Sequence, residues 1–581
     1  MNSTVESLLE GPKSNPECPE WKKRLIVVLV CLGVTSFVVL PFFVMGVAPE
    51  AGCCRGAGPR THDGVIHYNQ MDSFWRGLRS GRIYPRWEDT MHAGYGTPTM
   101  IFYPPGLYYL SSLFYLALGD WHVVLIVLQW VLMAASGATI YWYARRSMSW
   151  GPATVAMAAY LVAPYHLIDQ YQRGAIAEQL NFIWMPVALI LAERLWLKET
   201  AHRLTALIGL AALIAVMLLS HPPTAYQFML IFGLCAAGVA LKGRDWQGLV
   251  NLVLIGVAGV LGTLIVASYL YPAIADQPLV NISEVERMWP YHASYALDFS
   301  QQMYDHVRDK FVVRLDLIWT FSLVVIVLAG AILLRWRAQL ISLDLRARLW
   351  LWLGAGGLAI FFMTRYSYPV GRFIPKIEAG NFAWRMLAVT SLVIALIAGA
   401  CWQAAGDLRR RHQRVASIIC GLSAVAIVAA ATQISVTEVA RPMKHAEAFR
   451  PDPKHYHRAY VPKGVPFEVP EMAPASLASG GGQVSVALMH PEFRRYQVEL
   501  DRADQLQLRT SNFPGWTAFV DGEKAEVKSG PVGNIVIELP PGKHEVTLDF
   551  RLTPFRRLCN WISIISIALL ASVYVIARRR T

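Results

Sequence analysis

Asp63 stands in the run His62-Asp63-Gly64-Val65-Ile66-His67, with a second histidine one helical turn beyond the acid. A positioned carboxylate can take a proton from an attacking hydroxyl, which is general-base chemistry. Its bland alternative is a helix cap or a solvated loop acid. Asp72, in MDSFWRGLR, competes for the same role, although its spacing also suits an ion pair with Arg76 on one helix face. Glu88 and Asp89 follow Trp87 and fit the cap of a following segment. A second polar run, HLIDQYQRGAIAEQLNF, carries His166, Asp169, Arg173 and Glu178 and so mixes both charge signs. Asp169 and Arg173 are spaced to pair, and Glu178 is a further acid. His221, in SHPPTAY at the outer end of a helix, is either structural or faces a ligand. Arg385, in GNFAWRML, offers a guanidinium of the kind that grips a phosphate at two points; an interfacial anchor is its other reading. His455 and His457 form an HxH pair, too few ligands for a metal by themselves.

The elements that must position these groups are membrane helices. The chain has 581 residues, 55% hydrophobic and 16% charged, with a mean hydropathy of +0.36. That is too apolar for a soluble globular protein. Spans are expected near 25–46, 122–143, 150–165, 182–197, 204–219, 223–241, 248–271, 313–334, 349–364, 386–404, 414–431 and 557–577. The net charge of +13 resides in short basic clusters between these spans rather than in a nucleic-acid-binding surface. Clusters such as Lys22-Lys23-Arg24, Arg145-Arg146, Arg335 to Arg348 and Arg578 to Arg580 fall in every second loop. The positive-inside rule then puts both termini in the cytoplasm. Residues 103–118 start at Pro104-Pro105 and are rich in tyrosine; counting them as a span would invert every later cluster. They are expected to form a juxtamembrane helix on the outer face.

The polar segments 47–121, 166–181, 272–312 and 365–385 therefore share the outer side. A fifth outer region, 432–556, alternates like strands in Gln483–Leu488, Tyr496–Leu500, Gln505–Arg509, Ile535–Leu539 and Glu545–Phe550. Turn signals at Pro514-Gly515, Asp521-Gly522 and Pro540-Pro541-Gly542 separate them. This is expected to be a small extracytoplasmic β-sandwich, entered through an irregular linker at 442–482 and tethered by a last span at 557–577, which leads into the basic tail. The expected division is a cytoplasmic tail at 1–24, a helical membrane domain at 25–431 with its outer loop at 47–121, the β-rich domain, and residues 557–581. Cys53-Cys54 are adjacent and bridge each other only with difficulty, and no CxxC occurs.

Several stretches resemble a known family. HD-x(3)-H, LRSGRIYPRW, GYGTP and FYPPGLYYL are similar to the first outer loop of integral-membrane glycosyltransferases of the GT-C type. Within that type the resemblance is to bacterial YfhO-like proteins and to the group labelled 6-pyruvoyl-tetrahydropterin-synthase-related membrane proteins. RGAIAE, NFAWR, FPGWTAFVDG and LPPGKHEV extend it over nearly the whole chain. The resemblance implies an inner-membrane enzyme that moves a sugar from a polyprenyl phosphate on the outer face. It implies Asp63 as catalytic base, with Glu178 or Asp169 as second acid and Asp72 in reserve. His67, Arg173, Asp169, His221, Arg385 and Tyr103 would then line the substrate, and tyrosines such as Tyr103 could stack on a sugar or line a lipid groove. The acceptor could be a glycolipid, an envelope polymer or a protein, although the WWD-type motif of oligosaccharyltransferases is missing. A divalent cation could take an arginine's place, and no metal ligand set is assigned. Two other classes fit less well: a transporter or flippase, which would carry charges in mid-span, and a non-catalytic envelope scaffold that binds through its outer domain.

Overall fold

A computed structural model describes residues 19–47, 57–59, 61–195, 200–243, 246–283, 287, 291–298, 310–335, 343–374, 377, 382–410, 414–440, 446–448 and 456–579. Cys53-Cys54 and His455 lie outside the described residues. Eleven helices among them are long and apolar enough to cross a membrane: Glu20–Val44, Trp121–Ala144, Ile176–Arg194, Arg203–Ser220, Pro222–Lys242, Trp246–Ile265, Phe311–Ile332, Asp344–Phe362, Ala383–Arg410, Arg414–Ile434 and Pro554–Ile576. The chain is thus a polytopic helical membrane protein with a C-terminal β domain.

The expected span at 150–165 is a broken crossing rather than one continuous helix. Its helix, Trp150–Leu161, stops before Pro164 starts a short helix to Ile168 and a π-turn follows over Asp169–Arg173. Twelve residues rise only about 18 Å, short of the roughly 30 Å of hydrocarbon, so no single helix crosses here. The broken segment runs buried inside the bundle from the Arg146 end to the Asp169 end. The Gly106–Leu118 helix is also too short to cross, as expected of residues 103–118. One face packs Leu107 and Tyr108 on Met71 and Phe74, while Leu113 and Leu116 stay exposed, as an interfacial helix would present them to lipid.

Members of two of the basic clusters meet at one end of the bundle. Arg146 and Arg348 both pair with Glu193 at the end of the Ile176–Arg194 helix, and Glu20 feels the charge of Arg145. The polar segments of interest lie at the opposite end.

The β domain is a two-layer sandwich. Strands β1 (Ala57–Pro59) and β2 (Ala446–Ala448) pair by themselves, and the sandwich is built from β3 (Ala475–Leu477), β4 (Gly482–His490), β5 (Phe493–Leu500), β6 (Asp504–Ser511), β7 (Trp516–Val520), β8 (Glu523–Ala525), β9 (Lys528–Ser529), β10 (Asn534–Leu539) and β11 (Gly542–Phe550). One sheet has the order β3-β6-β10-β9 and the other β4-β5-β11-β7-β8, all antiparallel pairs. Each strand expected from alternation lies inside β4, β5, β6, β10 or β11. Alternate residues Tyr496, Val498 and Leu500, then Leu506 and Leu508, then Val546, Leu548 and Phe550, point inward and fill the core. Asp521 and Gly522 both adopt positive φ, the conformation a two-residue hairpin between β7 and β8 demands.

The sandwich core is not closed by its own strands. Trp87, Ile101 and Phe102 of the first loop, with Val280, complete it. Trp87 meets Trp516 edge-to-face at 5.2 Å, so Trp516 is a packing residue. Glu492 accepts the backbone N–H groups of Arg86 and Trp87, and Arg82 pairs with Asp549 at 2.5 Å. Gly96 lies against the Trp87 ring with φ +76°, where any Cβ would collide with the indole.

Candidate active site

The second polar run forms the centre of the site. Its π-turn places Asp169 and Arg173 side by side, and Gly174 (φ +64°) reverses the chain into the Ile176–Arg194 helix. Glu178, in the first turn of that helix, then points back at the turn. Arg173 Nη1 donates to Asp169 Oδ1 at 2.6 Å, to Glu178 Oε2 at 2.6 Å and to the Tyr165 hydroxyl at 3.0 Å. Tyr165 donates to Glu178 Oε1 at 2.9 Å. Arg385 enters from another element, its Nε 3.3 Å from Glu178 Oε2, with its guanidinium over the Phe382 ring. Both acids have 0% of their side-chain surface exposed. Four ionisable groups from two distant stretches thus share one buried cluster, an arrangement too costly to leave unpaired.

Asp169 is the odd member. Burial, and then the charge of Glu178, push its carboxyl well above the usual carboxylate range, against the pull of Arg173 and Arg385. Its short contact with Arg173 looks like a full ion pair, yet burial wins. The same Arg173 nitrogen is shared with Glu178 and Tyr165, and Asp169 Oδ2 meets no donor among the described residues. Burial also disfavours the charge on Arg173, but Glu178, Tyr165 and Asp169 outweigh it and the guanidinium stays ionised.

The first loop docks on this turn through its backbone. His62 N–H donates to Gln172 O at 3.0 Å and Asp63 N–H to Arg173 O at 2.8 Å. A Cβ on Gly174 would run into Thr61, so glycine is what permits the approach. Asp63 sits at the N-cap of the Gly64–Arg79 helix, but Thr61 Oγ1 does the capping of Gly64 N–H at 2.9 Å. The Asp63 carboxylate makes no hydrogen bond or ion pair among the described residues. It faces inward enough for its charge to act on His67, Tyr103, Arg173 and His457.

His67 is buried, with Nδ1 3.1 Å from the Tyr108 hydroxyl, and burial brings its pKa down to about 4. Tyr103 is edge-on to His67 at 5.6 Å and stacked on His457 at 5.5 Å. His221 sits just before the Pro222–Gly243 helix, where Nδ1 accepts from Thr224 N–H at 3.4 Å and lies 2.9 Å from its hydroxyl. Burial, then the charge of Arg385, hold its pKa well down, so it both caps a helix and presents a neutral imidazole to the cluster.

Two expected members are elsewhere. Asp72 pairs with Arg76 at 3.1 Å and accepts from Trp121 Nε1 at 3.2 Å, in a half-buried network completed by Asp89. His166 is stacked on Phe182 at 4.1 Å within the bundle. Glu88 does not cap a helix: it is buried beside Thr97 and Thr99 under the β domain. No three His, Cys, Asp or Glu side chains among the described residues are placed to hold a metal ion, and the two buried acids face arginine instead.

Against known proteins, neither a family model nor a curated protein matches this chain. Two solved structures are similar at a remote level. One is the archaeal oligosaccharyltransferase AglB from Archaeoglobus fulgidus, in complex with an inhibitory peptide and a dolichol-phosphate. It shows 13% identity and a TM-score of 0.45 over 73% of this chain and 56% of its own. The other is the arabinosyltransferase EmbB from Mycobacterium smegmatis, with 12% identity and a TM-score of 0.33 over 95% of this chain and 65% of its own. This chain therefore spans less than two thirds of either protein's length.

Sequence reading missed Tyr165 and Gln70, which lie in apolar or helical stretches and carry no spacing signal. It flagged His457 only as half of a metal pair. Nothing in the sequence tells that this residue reaches a loop so distant along the chain.

Proposed function

We propose that this chain is a membrane glycosyltransferase of the GT-C kind, moving a sugar from a polyprenyl phosphate to an acceptor hydroxyl at the outer membrane face. The observation that carries the reading is the pair of buried arginines beside an acid that nothing else engages. Arg173 and Arg385 converge on Glu178, and burial disfavours the charge on the neighbouring Asp169, so the cluster offers two guanidinium groups where a phosphate would sit. Next to it, the Asp63 carboxylate keeps its lone pairs available. The motif resemblance and the membrane architecture supply the substrate class.

In this mechanism Asp63 takes the proton of the acceptor hydroxyl as its oxygen attacks the anomeric carbon. The bond from that carbon to the phosphate oxygen breaks, and the polyprenyl phosphate leaves with the electron pair. Direct displacement inverts the anomeric centre through an oxocarbenium-like transition state. Arg385 faces the leaving phosphate, with Arg173 holding Glu178 in place behind it and adding to the field where charge develops. His67, His221 and Tyr103 remain neutral and contact the sugar and lipid phosphate by hydrogen bonds and ring faces.

The test is donor turnover. Purified wild type in nanodiscs is incubated with a panel of polyprenyl-phosphate sugars and an envelope extract, and free polyprenyl phosphate is measured. Wild type is expected to release it. Asp63→Asn, still folded, is expected to lose roughly 10²- to 10⁴-fold in rate. No release by folded wild type across the panel would defeat the proposal.

A further inference from the structure

The chain that leaves the membrane helices does not run straight into the sandwich. Residues 456–467 first cross the first loop as a strap pinned on both sides. On one side Lys463 N–H donates to Leu279 O at 2.9 Å and Asn281 N–H to Val461 O at 3.2 Å. On the other, His92 Nε2 bonds Pro466 O at 2.8 Å, and Tyr460 stacks on Phe102 at 5.5 Å with the rings 4° from parallel. The strap carries His457 to the Tyr103 ring, next to Asp63 and His67.

Two nitrogens there lack partners among the described residues: His67 Nε2 and His457 Nε2, both sealed from solvent. The proton on His67 can be placed. Tyr108 gives its hydroxyl proton to Gln70 Oε1, so its oxygen accepts from His67 Nδ1–H. The imidazole is neutral, which leaves Nε2 as a bare lone pair. A buried acceptor in want of a donor, beside a carboxylate in the same state, suits neither an anion nor an apolar chain. It suits O–H groups, which can donate to an imidazole and a carboxylate from adjacent ring positions. Tyr103 packs on both imidazoles, and Tyr460 of the Phe102–Tyr460 stack meets Tyr103 and His457 edge-on, so the two histidines are set among aromatic rings.

We infer that His67 and His457, the latter delivered by the strap, form a hydroxyl-binding subsite for a sugar ring beside Asp63. This rests on the glycosyltransferase reading and adds to it a substrate-contacting residue from outside the membrane domain. The sugar could belong to the donor or to a glycan acceptor; both present the same vicinal hydroxyls.

The experiment couples a side chain to a hydroxyl. Wild type and His457→Ala, full chain in nanodiscs, are assayed with undecaprenyl-phosphate sugars and with their monodeoxy analogues, and separately with methyl glycosides and deoxy methyl glycosides as acceptors. One deoxy position is expected to reduce wild-type kcat/KM roughly ten- to a hundredfold. His457→Ala should lose a similar factor on the full sugar and nothing further on that deoxy sugar. Coupling on the donor series assigns the subsite to the donor, and coupling on the acceptor series to the acceptor. Additive losses on both series would overturn the inference, as would a His457→Ala defect repaired by added Mn²⁺ or Zn²⁺, which would mark a cation site. A second readout needs no turnover: methyl glycosides should shift the ¹⁵N resonances of His67 and His457 in histidine-labelled protein. Shifts without polyprenyl phosphate release defeat the transferase but keep the subsite; release with neither shifts nor coupling does the reverse.

Discussion

Glu88 offers a sharp test of how the first loop is fastened. Its backbone pairs with Thr97 in both directions, at 2.9 and 3.0 Å, and its carboxyl lies buried between the Thr97 and Thr99 hydroxyls. Burial raises its pKa from 4.5 to about 8; Asp89 adds to the rise, and Arg76 and the two threonines only partly oppose it. Ionising Glu88 in the native state is therefore about 5 kcal/mol harder than in the unfolded chain. The sign follows from proton counting. Between about pH 5 and 8 the native state keeps a proton that the unfolded chain has lost, so stability is complete below pH 4.5 and falls by about 1.4 kcal/mol per pH unit up to pH 8. Glu88→Gln keeps the shape and a donor but cannot ionise. Hydrogen exchange of residues 86–102, corrected for intrinsic rates, would be followed at pH 5.5, 6.5 and 7.5 in both proteins. The wild-type opening free energy should fall by about 3 kcal/mol across that range relative to the variant. Parallel slopes, or wild-type protection that grows with pH, would refute the account of Glu88 as a buried neutral acid.

Two further outcomes are expected. Arg173→Ala strands Asp169 and Glu178 without their shared donor and should destabilise the protein by about 3–5 kcal/mol, read as a drop in thermal stability in detergent, with Glu178→Gln in the same background recovering part of the loss. Asp72→Asn should leave polyprenyl phosphate release within about twofold of wild type and lower stability by no more than about 1 kcal/mol, because its partner Arg76 keeps the two-point pair with Asp89.

Hydropathy and alternation made the bundle and the strands legible, because both report burial residue by residue. Hydropathy marked the 150–165 crossing but not that it is buried and broken before Pro164, because a segment packed inside a bundle is as apolar as one facing lipid. Asp169, Arg173 and Glu178 could be grouped because they are close in sequence, and the i,i+4 spacing of Asp169 and Arg173 survives even on a π-turn. Arg385 could be suspected from its place at a span entrance, but its partner Glu178 could not, since helix packing alone joins them. Asp72 is already set apart from Asp63 by its i,i+4 spacing to Arg76. What spacing does not carry is the Trp121 bond to Asp72 and the Gly174 turn beside Asp63, and both are tertiary facts.

The order of the chain follows from what a long loop needs. A first loop that reaches from the first helix to the second has no covalent reason to hold Asp63 at a fixed place. Here its Trp87, Ile101 and Phe102 are core residues of the β domain, while its start is tied by backbone hydrogen bonds to residues 172 and 173. The loop is therefore clamped between the membrane bundle at one end and the sandwich at the other. The sandwich is itself fixed to the bundle, since Arg556 at the head of the last helix pairs with Asp276 at 2.9 Å and bonds Pro514 O at 2.8 Å. Residues 456–467 close the same circuit from the opposite direction. A domain placed last in sequence thus holds the loop that comes first, and the residues so held are the ones a reaction at Asp63 would require to be still.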